Sequence, residues 1–299
     1  MSAALERRVV GGHTWALRRW SSAGEGGAAD EPTIVALHGF AGCGDDFAPL
    51  IAGGAAIGAR WITVDVLGHG QSAAPADARD YAMPALAAGL AELLAASVRG
   101  PYVLLGYSMG GRLALSLLLG AGGAASTWPR PAALVLVGAT PGIADADARA
   151  QRRAADEALA DAIEARGLEW FADYWRERPI LAGKRRIDPG RRAAMEARLL
   201  AQRPAGLAGA LRGAGTGAMP PLWTRLGALG LPSLWLSGAE DPKFTAIAAR
   251  AVALAPRARH VALADAGHTA HLEAPAAFLA ALAAFTRERV EGVDATCDR

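Results

Sequence analysis

The feature that most limits the possible folds is a series of short apolar runs alternating with segments of helical length. Each run has about four or five residues without polar alternation, a pattern typical of strands covered by helices on both faces. The runs lie at residues 33–37, 61–65, 102–105, 134–137, 233–236 and 260–263. Alanine- and leucine-rich segments, such as residues 86–98 and 113–119, separate most of them. This order predicts an α/β fold with a mostly parallel, doubly wound sheet.

Two stretches depart from the alternation. Residues 7–11 and 14–19 precede the first parallel strand and are predicted to form an antiparallel hairpin. Residues 141–222 show no strand pattern and are rich in arginine, alanine and acidic residues, with helical periodicity. We therefore expect a helical cap (141–222) inserted into one core domain made of residues 1–140 and 223–299. Insertions at the carboxyl edge of such a sheet overlie the place where ligands bind.

The composition bears on partners and location. The 299 residues include 31 basic and 29 acidic ones, so the net charge of +2 gives no overall attraction to nucleic acid or membranes. No apolar run reaches the roughly 20 residues of a membrane span, and the N-terminal residues do not resemble a signal peptide. The two cysteines, Cys43 and Cys297, do not suggest a disulfide framework, and a cytoplasmic location is expected. The sequence does not specify an oligomeric state.

The strongest local motif is G-Y-S-M-G at residues 106–110, between a predicted strand and a predicted helix at residues 112–119. In this setting the glycines permit a tight turn that lifts the hydroxyl of Ser108 above the sheet. A serine of this kind needs a base, and His268 follows the last predicted strand. Asp241, after the penultimate strand, is the expected acid that orients the histidine. The chain order of serine, acid and histidine is the one that such a strand-turn-helix nucleophile uses.

Several other reactive residues have a different interpretation. Glu240 and Asp265 are the rival acids. Asp241 is preferred because Glu240 is expected to point elsewhere and Asp265 lies too close in sequence to His268. Cys43 is expected to be a small loop residue rather than a catalytic thiol. Structural roles in turns or packing are expected for His38, His69, Ser72 and His271.

Two backbone N–H groups are expected to stabilise a developing oxyanion. The L-H-G-F sequence at residues 37–40 ends the first parallel strand, and its loop is expected to contribute the N–H of Phe40. The second N–H is that of Met109, directly after Ser108. The histidines are scattered and the sequence lacks the phosphate-binding G-x-x-x-x-G-K motif, so neither a metal nor another cofactor is expected.

These motifs resemble the α/β-hydrolase superfamily. Across residues 34–285 the chain resembles more closely the 2-succinyl-6-hydroxy-2,4-cyclohexadiene-1-carboxylate synthases of the menaquinone pathway. Arg112, directly after the G-Y-S-M-G-G sequence, and several other strings carry this closer resemblance. The strings lie at residues 140–143, 149–156, 171–175, 211–217 and 267–273. Residues 181–198 depart from the resemblance, because Lys184, Arg185 and Arg186 stand where less charge is usual.

The resemblance implies a lyase that eliminates pyruvate from 2-succinyl-5-enolpyruvyl-6-hydroxy-3-cyclohexene-1-carboxylate and consumes no water. Ser108, activated by His268, would then remove a ring proton. The resemblance assigns substrate contacts to Tyr107, Arg112, Arg152, Trp175 and Arg198. Arginines suit this small-molecule polycarboxylate, because a guanidinium can bind a carboxylate through two hydrogen bonds.

Two other functions are compatible with the same triad. One is a hydrolase of esters or of carbon–carbon bonds in ring-cleavage products, with Ser108 or an activated water as the nucleophile. The other is a ligand-binding member of the fold without catalytic activity. Arg112 and the cap arginines favour a polyanionic substrate over a neutral ester, and a complete triad disfavours a protein that only binds.

Overall fold

The computed structural model describes residues 3–20, 32–54, 57–120 and 128–294, with side chains described up to residue 287. The strands are β1 (Ala3–Val10), β2 (His13–Trp20), β3 (Thr33–Leu37), β4 (Arg60–Asp65), β5 (Tyr102–Tyr107), β6 (Ala133–Val137), β7 (Ser233–Gly238) and β8 (Ala258–Leu263). The α-helices are α1 (Ala48–Gly53), α2 (Met83–Ser97), α3 (Met109–Leu119), α4 (Ala146–Arg176), α5 (Pro189–Leu200), α6 (Pro204–Ala214), α7 (Pro242–Val252), α8 (Ala270–Glu273) and α9 (Pro275–Asp294).

In the described part of the chain, eight strands form one sheet in the order β1-β2-β4-β3-β5-β6-β7-β8. β1 and β2 form the predicted antiparallel hairpin, and β2 also pairs antiparallel with β4. The remaining neighbours pair in parallel, which confirms the predicted sheet. The register aligns Leu37 with Gly106 and Tyr107 with Val137, so β3, β5 and β6 end at the same edge.

Helices cover both faces of the sheet because residues of each strand point alternately to one face and the other. Val35 and Leu37 of β3 belong to the apolar cluster that includes residues of α2, α3 and α7. Ile34 and Ala36 belong to the opposite cluster, which includes residues of α1 and α9. The strand side chains of β3 are buried on both faces, as the short unbroken apolar runs predict.

The chain between β6 and β7 is helical and contains no strand, as its sequence predicts. α4 and α6 pack through a third apolar cluster, and Gly167, with φ of +80°, interrupts the long helix α4. Arg212 on α6 also forms ion pairs with three acidic residues on α4, Glu157, Asp161 and Glu164. This segment packs over the edge where β3 and β5 end. The division of the chain at residues 141 and 222 stays a prediction.

Side chains join the helical segment to the core near that edge. Gln202, which follows α5 and is 7% exposed, donates to the carbonyl of Gly42 at 3.1 Å. Its side-chain oxygen accepts the N–H of Gly70 at 2.8 Å. Arg203 donates to the carbonyls of Gly70 and Ser72. The segment is thereby tied to the two loops that follow β3 and β4.

Among the described helices, none has the length and apolar character that crossing a membrane requires. The described residues also include no group of three or more His, Cys, Asp or Glu side chains arranged to hold a metal ion.

Candidate active site

Ser108 lies on a sharp turn between β5 and α3. Its φ is +49°, a left-handed conformation that is rare for a residue with a side chain, and its N–H donates to Val137 O at 2.8 Å. The turn requires glycine on both sides of the serine. A Cβ on Gly106 would lie 2.6 Å from the carbonyl oxygen of Gly110, and a Cβ on Gly110 would overlap the carbonyl oxygen of Leu37. The close approach of α3 to β3 and β5 therefore fixes Ser108 at the sheet edge.

Ser108, His268 and Asp241 form a continuous hydrogen-bonded chain. His268 Nε2 lies 3.1 Å from Ser108 Oγ, and His268 Nδ1 lies 3.0 Å from Asp241 Oδ2. Asp241 precedes α7, where its other carboxylate oxygen accepts the N–H of Phe244 at 3.1 Å. With Asp241 accepting a hydrogen bond from Nδ1–H, Nε2 is free to accept the proton of the serine hydroxyl. The geometry supports general-base activation of Ser108.

The loop that carries His268 is held from below by Glu273. The buried carboxylate accepts the N–H of Gly267 at 2.6 Å and the N–H of Thr269 at 3.0 Å. The imidazole itself packs against Phe244, with ring centroids 4.4 Å apart. These contacts restrict the histidine to one orientation toward Ser108.

The two rival acids lie elsewhere. Glu240 pairs with Arg186 at the surface. Asp265 has a φ of +54° in the turn after β8. Only Asp241, of the three acids considered, bonds to His268 in the described structure. Cys43 is buried, and burial raises the pKa of its thiol, so the thiolate form is disfavoured.

The other histidines and Ser72 occupy packed positions. His38 accepts the N–H of Val66 at 3.0 Å and contacts the carbonyl of Gly39 at 2.8 Å, so both ring nitrogens are used in shaping the loop. Burial lowers the pKa of His69 and of His271 to about 3, which keeps both imidazoles neutral near pH 7. The Ser72 hydroxyl joins the N–H of Ala16 to the carbonyl of Asp65.

Ser108 and His268 open into a cavity of about 560 Å³ between the sheet edge and the helical segment. Phe40 and Met109, whose N–H groups are the expected oxyanion donors, both line it. Tyr107 also lines it, and its hydroxyl lies 3.2 Å from Thr269 Oγ1. Trp175 on α4 forms part of the wall and meets the ring of Phe40 edge-on, with centroids 5.6 Å apart.

Arg112 and Arg152 bring positive charge into this cavity from two elements. Arg112 on α3 is 7% exposed and donates to the carbonyl of Ala214. Burial, with a smaller effect of nearby Arg152, lowers the pKa of Arg112 to about 10, so it remains a cation near pH 7. Arg152 on α4 pairs with Asp156 at 2.8 Å, and 43% of its side chain is exposed. Both arginines line the cavity into which Ser108 opens.

Arg198, the remaining predicted substrate contact, is placed differently from Arg112 and Arg152. Its guanidinium pairs with Asp46 at 2.8 Å, and Arg198 is absent from the described wall of the cavity. It lies instead beside a smaller cavity of about 90 Å³ on the other side of Asp46. Asp46 itself lines the larger cavity, so this ion pair, between residues far apart in sequence, holds Arg198 directly behind that wall. The substrate contact of Arg198 stays a prediction.

The structure adds wall residues that the sequence did not single out as contacts. Besides Arg112 and Arg152, the cations along the wall are Arg176, Lys184, Arg185, Arg192 and Lys243. Lys184 and Arg185 belong to a short 3-10 helix, Pro179–Arg186. The only sequence signal for them was the K-R-R run at residues 184–186, which stands out by its charge.

The comparisons with known proteins agree with this architecture. The sequence profile described as the alpha/beta hydrolase fold matches residues 32–275. A Bacillus subtilis (strain 168) protein with the provisional name 2-succinyl-6-hydroxy-2,4-cyclohexadiene-1-carboxylate synthase is 36% identical over 267 residues, covering 87% of this chain and 92% of the relative. The chain belongs to the α/β-hydrolase fold family and, within it, to the family of these synthases. The resemblance predicted from the motifs is thereby confirmed.

Two further relatives support the family assignment. A Klebsiella pneumoniae (strain 342) protein named 2-succinyl-6-hydroxy-2,4-cyclohexadiene-1-carboxylate synthase is 33% identical over 270 residues, covering 88% of this chain and 97% of the relative. A solved structure described as MenH from S. aureus superimposes with a TM-score of 0.82 and 28% identity, covering 91% of this chain and 98% of that one. The similarity of this synthase-family chain to its relatives therefore includes the helical segment.

Proposed function

We propose that this protein is a 2-succinyl-6-hydroxy-2,4-cyclohexadiene-1-carboxylate synthase, a lyase that eliminates pyruvate from an enolpyruvyl cyclohexene polycarboxylate. One structural observation carries the proposal. The Ser108–His268–Asp241 chain opens into the same cavity as Arg112, a buried cation with no carboxylate partner among the described residues. The names of the relatives support the same reaction.

The reaction uses Ser108 as a base. Its oxygen takes a proton from a ring carbon of the substrate while its own proton passes to His268 Nε2. The electron pair of the broken C–H bond forms a ring double bond, and the C–O bond to the enolpyruvyl group breaks. The departing enolate receives the proton held at His268 Nε2 and becomes pyruvate, which returns Ser108 and His268 to their starting forms. No water enters the products, and no ester to Ser108 forms.

The chain stabilises this process at two places. The N–H groups of Phe40 and Met109 are proposed to bind the oxyanion that develops as the proton leaves. Arg112 and Arg152 are proposed to bind substrate carboxylates, since guanidinium groups pair with carboxylates in a planar, bidentate geometry. Tyr107 and Trp175 supply apolar wall against the ring. Asp241 holds the imidazole in the tautomer that accepts the proton.

A hydrolase of esters or of carbon–carbon bonds is the second candidate, because the triad geometry serves a nucleophilic serine equally well. The discriminating feature is the charge of the cavity. A neutral ester offers nothing to Arg112, whose burial without a carboxylate partner is costly unless the ligand supplies a negative group. The charge therefore favours the lyase.

The deciding experiment incubates the purified protein with the enolpyruvyl substrate and measures pyruvate, beside a panel of simple aryl esters. We expect fast, stoichiometric pyruvate release and slow ester cleavage. Rapid ester turnover without pyruvate would support the hydrolase instead. A cytoplasmic location, which would match a small-molecule biosynthetic substrate, is part of the same proposal.

Replacing Arg152 with alanine is expected to lower kcat/KM for pyruvate release. A hydrogen bond to a charged group contributes about 1.5–3 kcal/mol, which corresponds to roughly 10- to 150-fold. The matched control is Arg153→Ala, which removes the same charge from the next position of α4, where the side chain is exposed and outside the cavity wall. Equal kcat/KM values for the two variants would remove Arg152 from the substrate site.

A further inference from the structure

The cavity wall carries more positive charge than its own carboxylates neutralise. Arg152 pairs with Asp156, and Arg176 pairs with Glu196. The wall cations without any carboxylate at ion-pair distance, among the residues that the structure describes, are Arg112, Lys184, Arg185, Arg192 and Lys243. The wall is therefore matched to a ligand with several negative charges.

Two of these unpaired cations are withdrawn from solvent. Arg112 is buried beneath the helical segment, and Lys184 is partly buried on the 3-10 helix Pro179–Arg186, whereas the other three side chains are exposed. An exposed cation is satisfied by water, but a cation removed from water without a partner loses hydration that nothing in the protein replaces. Such a group on a cavity wall is typical of a ligand-binding site.

Lys184 lies on a different part of the wall from Arg112. The charged groups around Arg112 are Arg152 and Asp156. The charged groups around Lys184 are instead Asp46 and Glu273. Lys184 also lies near His271: burial is the largest cause of the low pKa of His271, followed by the charges of His268 and Lys184. Burial lowers the pKa of the Lys184 ammonium more than these two carboxylates raise it.

Both neighbouring carboxylates have other partners, including Arg186 at 3.6 Å from Glu273, and neither lies at ion-pair distance from Lys184 among the described residues. Asp46 is engaged by Arg198 at 2.8 Å and by the N–H of Cys43 at 3.0 Å. Glu273 accepts the N–H groups of Gly267 and Thr269 in the loop that holds the catalytic histidine. Lys184 therefore lies on the cavity wall with no ion-pair partner among the described residues.

We propose that Lys184 binds one carboxylate of the substrate, at a position separate from the carboxylate bound by Arg112 and Arg152. The inference rests on the proposed function, which supplies a substrate with three carboxylates. Arg198, to which the family resemblance assigns a substrate contact, pairs with Asp46, whereas Lys184 lies on the described cavity wall without an ion-pair partner. Lys184 is then the residue of the K-R-R run at 184–186 that recognises the substrate.

The test measures the Kd of citrate, an unreactive tricarboxylate, by isothermal titration calorimetry for the wild-type protein and three variants. We expect Lys184→Met to raise the Kd about 10- to 100-fold, the effect of losing one charged hydrogen bond. Lys184→Arg retains the charge and should stay within a few-fold of wild type. Arg153→Met removes one exposed positive charge outside the wall and controls for the overall field of the protein.

Kinetics with the enolpyruvyl substrate separate binding from a structural role. Lys184→Met should raise KM by a factor similar to the rise in Kd while changing kcat by less than about 3-fold. The reason is that the lost contact binds the substrate and the transition state equally and does not touch the reacting bonds. A fall in kcat with unchanged KM would instead show that Lys184 acts by positioning the neighbouring residues His271 and Glu273, and would overturn the proposal.

Two further outcomes are decisive. Equal citrate Kd values for Lys184→Met and Arg153→Met would overturn the proposal, provided that both variants melt at the wild-type temperature. If Lys184→Met is unstable, the Lys184→Arg variant decides by retaining or losing tight citrate binding. Failure of the wild-type protein to release pyruvate would refute the proposed function alone, because the citrate measurements do not depend on turnover.

Discussion

Replacing Ser108 with alanine is expected to lower the rate of pyruvate release by on the order of 10⁶-fold, the loss seen when the serine of such a triad is removed. The reason is geometric. Ser108 Oγ is the atom within 3.1 Å of His268 Nε2, and alanine leaves the histidine with no group to activate at that position. The backbone strain at φ of +49° is similar for serine and alanine, so the fold is expected to persist.

The measurement is single-turnover pyruvate release by the wild-type protein and the Ser108→Ala variant, with circular dichroism to verify folding. Ser116→Ala is the matched control, since Ser116 lies on the same helix, is 7% exposed and is absent from the cavity wall. Wild-type turnover by Ser108→Ala would refute the assignment of Ser108 as the base.

A second readout distinguishes a base from a nucleophile. If Ser108 removes a ring proton, substrate deuterated at that carbon should react more slowly, and rapid-quench mass spectrometry should find no covalent adduct. An acyl-serine that accumulates during turnover, without an isotope effect, would indicate the ester-forming chemistry of the alternative hydrolase.

Replacing Gly110 with alanine is expected to destabilise the fold by roughly 3 kcal/mol, the upper end of the usual range for overpacking. A Cβ at this position would overlap the carbonyl oxygen of Leu37 and lie 2.7 Å from the carbonyl oxygen of His38. Both atoms belong to the backbone at the end of β3, so no side-chain rotation relieves the contact. α3 would have to move away from the sheet and would carry Ser108 with it.

Urea denaturation, followed by circular dichroism, measures this effect as the change in the free energy of unfolding. Gly53→Ala at the end of α1 is the control, because its added Cβ meets only Leu279 Cδ1 at 3.6 Å, an ordinary contact. We expect that control to change the free energy of unfolding by less than about 1 kcal/mol. Equal urea midpoints of unfolding for the two variants would show that the close approach of α3 and β3 does not hold the turn at Ser108.

Local pattern was sufficient to predict the parallel strands and the residues at their ends. Short apolar runs identify strands buried on both faces, and reactive residues after those runs must meet at one edge of a parallel sheet. Ser108 after β5, Asp241 after β7 and His268 after β8 were therefore accessible from sequence, and the structure places them within hydrogen-bond distance of one another.

The start of helix α3, after the Ser108 turn, was harder to predict from the sequence. The predicted helix begins at residue 112, whereas α3 begins at Met109. Glycine has low helix propensity, so Gly110 and Gly111 argued locally for a longer turn. Tertiary contact decides otherwise, because β3 and Ala139 lie too close to α3 for any larger residue at these two positions.

The sequence by itself determined the parallel sheet, the Ser108 turn and the order of the triad, because each depends on short-range periodicity and on the rules that place strand ends together. Only the tertiary structure decided which cations face the cavity. Arg198 turns to Asp46, a residue distant in sequence, and Lys184 remains unpaired on the wall. A charged side chain goes where its partner and its hydration are best satisfied, and both depend on how the helical segment packs against the sheet.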